Sequence, residues 1–205
     1  MLKLFCLSVG VCSLLLCLLP VLTFADKLDA LSLERPARNL DEEAGVKIEN
    51  VETILQDDSY VLSADIDYRL SPRAKEALQN GVPLFWDIHV KTFQHRDYLW
   101  DKVLVSTGIR YRIQYHALLN MYRVRDENGG ELYNFSTLSA ALDSMSVLRK
   151  LFILNKNNYV QGRRYAVGIK VTLDRDALPL PLRPVAYTNP QWYLSSDWTL
   201  WPFTK

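Results

Sequence analysis

The chain has 205 residues, of which 49% are hydrophobic, 11% aromatic and 23% charged. That balance belongs to a folded globular protein and excludes wholesale disorder, a collagen-like repeat or a polytopic membrane protein. Lys and Arg number 24 against 23 Asp and Glu, a formal net charge of +1, so overall charge gives no reason to expect nucleic acid as a partner.

Lys3 precedes an uncharged stretch, Leu4 to Ala25, dominated by Leu, Val and Phe. Thr23 and Ala25 place small residues at the −3 and −1 positions before Asp26, so segment 1–25 reads as a secretory signal peptide. An apolar run of about 20 residues is also long enough to span a bilayer, which leaves an uncleaved anchor as the alternative. Pro20 suits a break before a cleavage site, and in either case the rest of the chain is expected to be exported. Cys6, Cys12 and Cys17 all lie inside this segment, and Val11 and Leu16, before Cys12 and Cys17, are too large for a lipid-attachment site. Asp26 to Lys205 therefore has no cysteine, hence no disulfide, thiolate metal site or cysteine nucleophile. A chain of that length buries roughly 70% of its unfolded surface and needs no covalent staple.

Segment 26–44 mixes charges with Pro36 and reads as a linker or loosely held arm, with one domain over 45–205. Val46 and Ile48 alternate, then the phase shifts to Val51, Thr53 and Leu55, the mark of a β-bulge. Gln56 to Ser59 is a turn. Tyr60, Leu62, Ala64, Ile66, Tyr68 and Leu70 form one face of the clearest strand. Ser71 as N-cap, Pro72 at the first position and Gly81 beyond the end bracket a short helix. Leu84, Trp86, Ile88 and Val90 alternate with Asp87, His89 and Lys91, and Tyr98 to Val105 reads as a further strand. Ile109 to His116 and Met121 to Asp126 are expected to close a hairpin through residues 117–120. In that register Ile113 faces Val124, Tyr115 faces Tyr122, Arg112 faces Arg125 and Gln114 faces Arg123. Asn128-Gly129-Gly130 turns into a short strand, Glu131 to Phe135. Ser136 and Thr137 cap a second helix expected to reach about Leu151, its apolar stripe formed by Leu138, Ala141, Leu142, Met145, Leu148 and Phe152. Asn155 to Asn158 is a loop, and Tyr165 to Leu173 is the last long strand. Alternating strands with two short helices predict a mainly β protein, an antiparallel β-sandwich, immunoglobulin-like in general architecture.

The run Leu178-Pro-Leu-Pro-Leu-Arg-Pro184 favours an extended, polyproline-like path. Tyr187, Trp192, Tyr193, Trp198, Trp201 and Phe203 follow. Segment 178–205 is thus a tail rich in proline and aromatic residues, expected to seal an edge of the sandwich or to present a stacking platform.

Residues 178–187, with Pro190-Gln-Trp192, Leu194-Ser-Ser-Asp-Trp198 and Trp201-Pro202, resemble the ending of the exported proteobacterial family catalogued as domain of unknown function 4390. The hairpin Val46 to Leu70 and the Trp86 strand fit the same family. The resemblance implies a secreted protein, often encoded near a nitrogen-regulation-type sensor kinase. No catalytic residues are established for that family, so none carries over.

Enzyme motifs are nearly absent: there is no G-x-S-x-G, phosphate-cradling glycine loop, H-E-x-x-H or Cys-x-x-Cys. One cluster is worth weighing, Asp87, His89, His95 and Asp97 with His116 elsewhere, as a base pair or metal site, against a merely solvated face. On the proposed hairpin Arg110, Arg112, Arg123 and Arg125 share the outer face, with Glu127 expected to neutralise Arg110. Like charges directly across a sheet call for a compensating anion, internal or bound. Leu118 and Leu119 at the hairpin tip either touch a partner or membrane or tuck onto a neighbouring element.

These residues point to a non-enzymatic periplasmic binding or accessory module for an envelope protein. Arg112, Arg123, Arg125, Trp192, Trp198 and Trp201 are its candidate contacts. No cofactor or metal is expected, and membrane contact is expected only through an uncleaved N-terminal segment. A hydrolase or metal-dependent enzyme using Asp87 and His89, and a purely structural envelope protein, are the alternatives.

Overall fold

The structure, a computed structural model, describes residues 44–203. The expectations for the N-terminal segment, and for the arm up to residue 43, lie outside the described residues.

Strands β1 (Gly45–Gln56) and β2 (Ser59–Arg69) form an antiparallel hairpin around Asp57 and Asp58. Their register slips between Glu49 and Glu52, where the phase of the sequence changes. Asn50 occupies the bulge at φ 49°, and its amide donates to the Asp65 carboxylate at 3.0 Å. Helix α1 (Pro72–Gln79) starts on Ser71, whose hydroxyl accepts from the Ala74 N–H at 3.1 Å. Gly81, at φ 82°, ends it: the Gly81 N–H reaches the Leu78 carbonyl and the Val82 N–H the Ala77 carbonyl. A left-handed residue in that position satisfies carbonyls the helix leaves open, which is why glycine stands there.

A four-stranded meander follows, β3 (Leu84–Gln94), β4 (Lys102–His116), β5 (Met121–Asp126) and β6 (Leu132–Phe135). The β4–β5 pairing has Arg112 opposite Arg125, Ile113 opposite Val124, Gln114 opposite Arg123 and Tyr115 opposite Tyr122, the register the apolar pattern predicts. The sequence suggested separate strands at 98–105 and 109–116. Instead β4 is continuous from Lys102, and Tyr98 to Trp100 lie in the preceding loop.

Helix α2 is shorter than its stripe implies. It spans Leu138–Met145, and strand β7 (Val147–Asn155) takes the rest of the segment. There β7 pairs with the free edge of β2, and Phe152, placed by the sequence on the helix core face, is exposed. Leu148 and Phe152 meet the helical spacing, but a β-rich run beside an unpaired strand edge gains a ladder of backbone hydrogen bonds as a strand. Strand β8 (Tyr165–Leu173) buries Tyr165, Val167, Ile169, Val171 and Leu173 on one side as read. The tail departs from an extended path. Residues 180–182 turn, Arg183–Thr188 forms a third helix, α3, and Pro190–Trp192 a 3₁₀ turn, before β9 (Thr199–Pro202) pairs with β8. Pro184 supplies the reason: proline early in a helix costs nothing, because its missing N–H would have no helical partner there.

The sheets have the orders β1-β2-β7 and β6-β5-β4-β3-β8-β9, with every pair antiparallel. Their inner faces share one core, where Leu62, Ile66 and Tyr68 of the smaller sheet meet Trp86, Ile88, Ile113, Val167 and Ile169 of the larger. The Tyr68 and Trp86 rings meet edge to face at 5.0 Å, and the Thr92 hydroxyl donates to the Ile153 carbonyl at 2.8 Å. This strand succession is that of the immunoglobulin-like sandwich, with β1, β2 and β7 as A, B and E and β3, β8 and β9 as C, F and G. Two further features of that architecture are present: the buried Trp86 on strand C, and Tyr165 at the start of strand F. The Tyr165 hydroxyl accepts from the Val160 N–H at 2.9 Å, closing the corner before its own strand.

Candidate functional site: the outer face of the larger sheet

Inward and outward residues alternate along β3, β4, β5 and β8, so everything the core leaves out is gathered on one outer face. On β3 this outer row runs Phe85, Asp87, His89, Lys91 and Phe93. Arg110 and Arg112 of β4 extend over the Phe85 ring, their guanidinium carbons 5.0 and 6.0 Å from its centroid. Arg110 lies between two carboxylates, Asp87 at 3.1 Å and Asp174 just beyond β8. Partial burial works against its charge, but the bond to Asp174 and the fields of Asp87 and Asp174 outweigh that and hold its pKa above the usual value.

Glu127 was expected to neutralise Arg110. Its backbone N–H does meet the Arg110 carbonyl at 2.8 Å, but its carboxylate turns to Arg112 at 3.0 Å and Arg125 at 3.9 Å. Two carboxylates already serve Arg110, whereas among the described residues the facing pair Arg112 and Arg125 depends on this one. Among the described residues Arg123 finds only a neutral partner, the Asn134 side-chain oxygen at 3.1 Å.

The tail reaches the same face from the far side. A Cβ on Gly168 of β8 would come within 2.9 Å of Leu200 and of Phe93 and 3.3 Å of Trp198, so these three side chains close over the glycine and would have to shift for a larger residue. Lys91 lies 4.9 Å from the Trp198 ring centroid. Arg112, Arg123, Arg125 and Trp198, distant in sequence, thus occupy one surface. Trp192 and Trp201 do not. Trp192 is 3% exposed in the core, and Trp201 packs inward from β9 against it, so neither offers a ring to a ligand. The tail is partly seal and partly surface, since Tyr187 and Tyr193 remain exposed with the Arg175 guanidinium between them at 4.6 and 4.4 Å.

The Asp87 cluster disperses. Asp87 and His89 share the outer face, but Asp87 is engaged by Arg110. Gly108, opposite His89, is separated from His116 by about 27 Å of β4 at roughly 3.4 Å per residue. His95 and Asp97 stay within 3.9 Å of each other in the loop after β3, away from Asp87 and His89, but His95 bonds Asp101 at 2.9 Å and Asp97 bonds Arg164 at 2.9 Å. Among the described residues no group of three or more His, Cys, Asp or Glu is placed to hold a metal ion. A shallow cavity of about 310 Å³ lies beside α2, lined in part by Tyr111, Tyr133, Asp126 and Glu131, with none of the Asp87 cluster in its wall. Its carboxylates are occupied locally: Glu131 accepts from the Tyr133 hydroxyl at 2.6 Å, and Asp126 from the Asn128 and Gly129 N–H groups. Leu118 and Leu119 do not tuck onto a neighbour; both are exposed.

Phe85, Asp174 and Lys170 escaped the sequence reading, although Phe85 and Lys170 hold outward positions that strict alternation would have marked. The fold and this face define an immunoglobulin-like sandwich with a basic and aromatic sheet surface. Residues 43–202 match the family described as domain of unknown function (DUF4390), and the chain belongs to that family. No curated protein matches it. No solved structure does either.

Proposed function

We propose that this protein is a non-enzymatic, exported binding or accessory module that docks an acidic envelope protein on the outer face of its six-stranded sheet. The observation that carries the reading is the convergence of Arg112, Arg123 and Arg125 with Phe85, Lys91 and Trp198 on one face. Cations there (Lys91, Arg110, Arg112, Arg123, Arg125 and Lys170) outnumber the anions Asp87, Glu127 and Asp174. Arginine and tryptophan are the side chains that most often dominate binding energy at protein interfaces, and surplus positive charge selects an acidic partner. The test is crosslinking in intact cells with a photoreactive residue at Asn134, comparing wild type with Arg112→Glu and Arg125→Glu. Capture of one partner, lost in both variants, supports the reading. No capture by the wild type, or equal capture by the variants, overturns it.

A further inference from the structure

The loop from His95 to Asp101 joins β3 to β4 at the end of the sandwich away from α1. It exposes three consecutive large side chains: Tyr98 is 98% exposed, Leu99 60% and Trp100 89%. An apolar cluster of that kind on a loose strand end would fold back onto the body; this loop is held out. The His95 ring meets Asp101 at 2.9 Å and closes its neck. The His95 N–H donates to the Arg164 carbonyl at 2.9 Å, and the Arg164 side chain holds Asp97 at 2.9 Å, tying the loop to its neighbour. Both acidic groups of the loop are thereby occupied, and Asp58 at the same end turns to Lys156 at 3.7 Å. Arg96, Lys102 and Arg163 make no ion pair among the described residues, and at this end they, with Lys156 and Arg164, outnumber the carboxylates Asp57, Asp58, Asp97 and Asp101, so the apolar tip is flanked by a small surplus of positive charge.

We infer that this loop is a membrane-contact element: Tyr98, Leu99 and Trp100 enter the headgroup layer of an anionic bilayer while Arg96, Lys102 and Arg163 meet its phosphates. Tyr and Trp each join an apolar ring to a polar handle and partition to the boundary between hydrocarbon and water, with Leu99 between them as the apolar anchor. A convex tip suits a deformable surface, which can close around it, and the cations choose one of negative charge. This contact lies on an end of the sandwich and does not depend on the outer-face reading.

The full chain, reconstituted into phosphatidylcholine vesicles with or without phosphatidylglycerol, carries the test, so that its N-terminal segment contributes equally to every arm. Quenching of Trp100 by brominated acyl chains is read as the difference between wild type and Trp100→Phe. We expect quenching on phosphatidylglycerol vesicles, weakened roughly tenfold or more in Arg96→Glu/Lys102→Glu/Arg163→Glu and by high salt, and unchanged in Arg112→Glu. A Trp100 that stays unquenched on anionic vesicles, or is quenched equally on neutral ones, overturns the inference. So does a photoreactive residue at position 100 that captures a protein in cells without lipid quenching in vitro.

Discussion

Arg112 and Arg125 stand directly opposite one another on β4 and β5, and one carboxylate, Glu127, lies 3.0 Å from the first and 3.9 Å from the second. A like-charge pair across a sheet is destabilising unless a third charge offsets it. Glu127 does so while leaving both guanidinium groups partly open to solvent, with side-chain exposures of 31% and 45%. The surface is thus stable when unoccupied and still able to take a further anion.

Replacing that carboxylate should expose the repulsion. Glu127→Gln is expected to destabilise the fold by about 1 kcal/mol in low salt, less at high ionic strength, with part recovered by adding Arg125→Gln. Urea denaturation at two salt concentrations measures it. Equal stability in low salt would mean that Glu127 does not offset the pair.

Tyr68 offers the opposite case. Its hydroxyl is buried without a hydrogen-bond partner among the described residues, and burial first, then the nearby Tyr111, pushes its pKa above the usual tyrosine range. Leaving a hydroxyl unpaired in a core costs about 1–3 kcal/mol, so Tyr68→Phe should keep the ring contact with Trp86 and raise the melting temperature. A lower melting temperature would show that the hydroxyl has a partner in solution.

Without its tail the sandwich loses core and edge together. Ala186, Trp192 and Leu194 are buried, and β9 covers the edge of β8. Truncation after Pro184 is therefore expected to abolish cooperative unfolding, and Trp192→Ala alone to cost about 3–5 kcal/mol. Thermal melts of the two variants decide it. A truncated chain that melts like the intact one would make the tail a free segment.

Asp65 ties the β1 bulge to β7. The Asn50 amide and then the Arg149 guanidinium, at 3.0 and 2.9 Å, hold its carboxyl below the ordinary aspartate pKa. A folded pKa below the unfolded one means that this contribution is present above the unfolded value, about 3.9, and is lost as pH falls through the folded value. Carbon-detected NMR titration should find the Asp65 midpoint depressed, and Asn50→Ala should move it upward. A midpoint that ignores Asn50→Ala would remove the amide as a cause.

Where neighbouring residues settle a conformation, the sequence alone was enough. The β1 bulge, the Ser71 cap and Gly81 stop of α1, the inward face of β2 and the β4–β5 register all follow from alternation and turn chemistry within a few residues. That register alone placed Arg112 against Arg125, because a one-residue slip would turn Ile113 and Val124 to solvent. Distant contacts decided the rest. Residues 147–152 continue a helical stripe and also suit a strand, and the open edge of β2 chose the strand. Glu127 left Arg110 because Asp174, remote in the chain, arrived there with β8. Tyr98 to Trp100 read as strand until β4 began at Lys102, and the aromatic tail divided between core and surface only when β9 docked on β8. Local pattern records which side chains avoid water; which partner covers them is set by chain segments far away in sequence, whose arrival no short window contains.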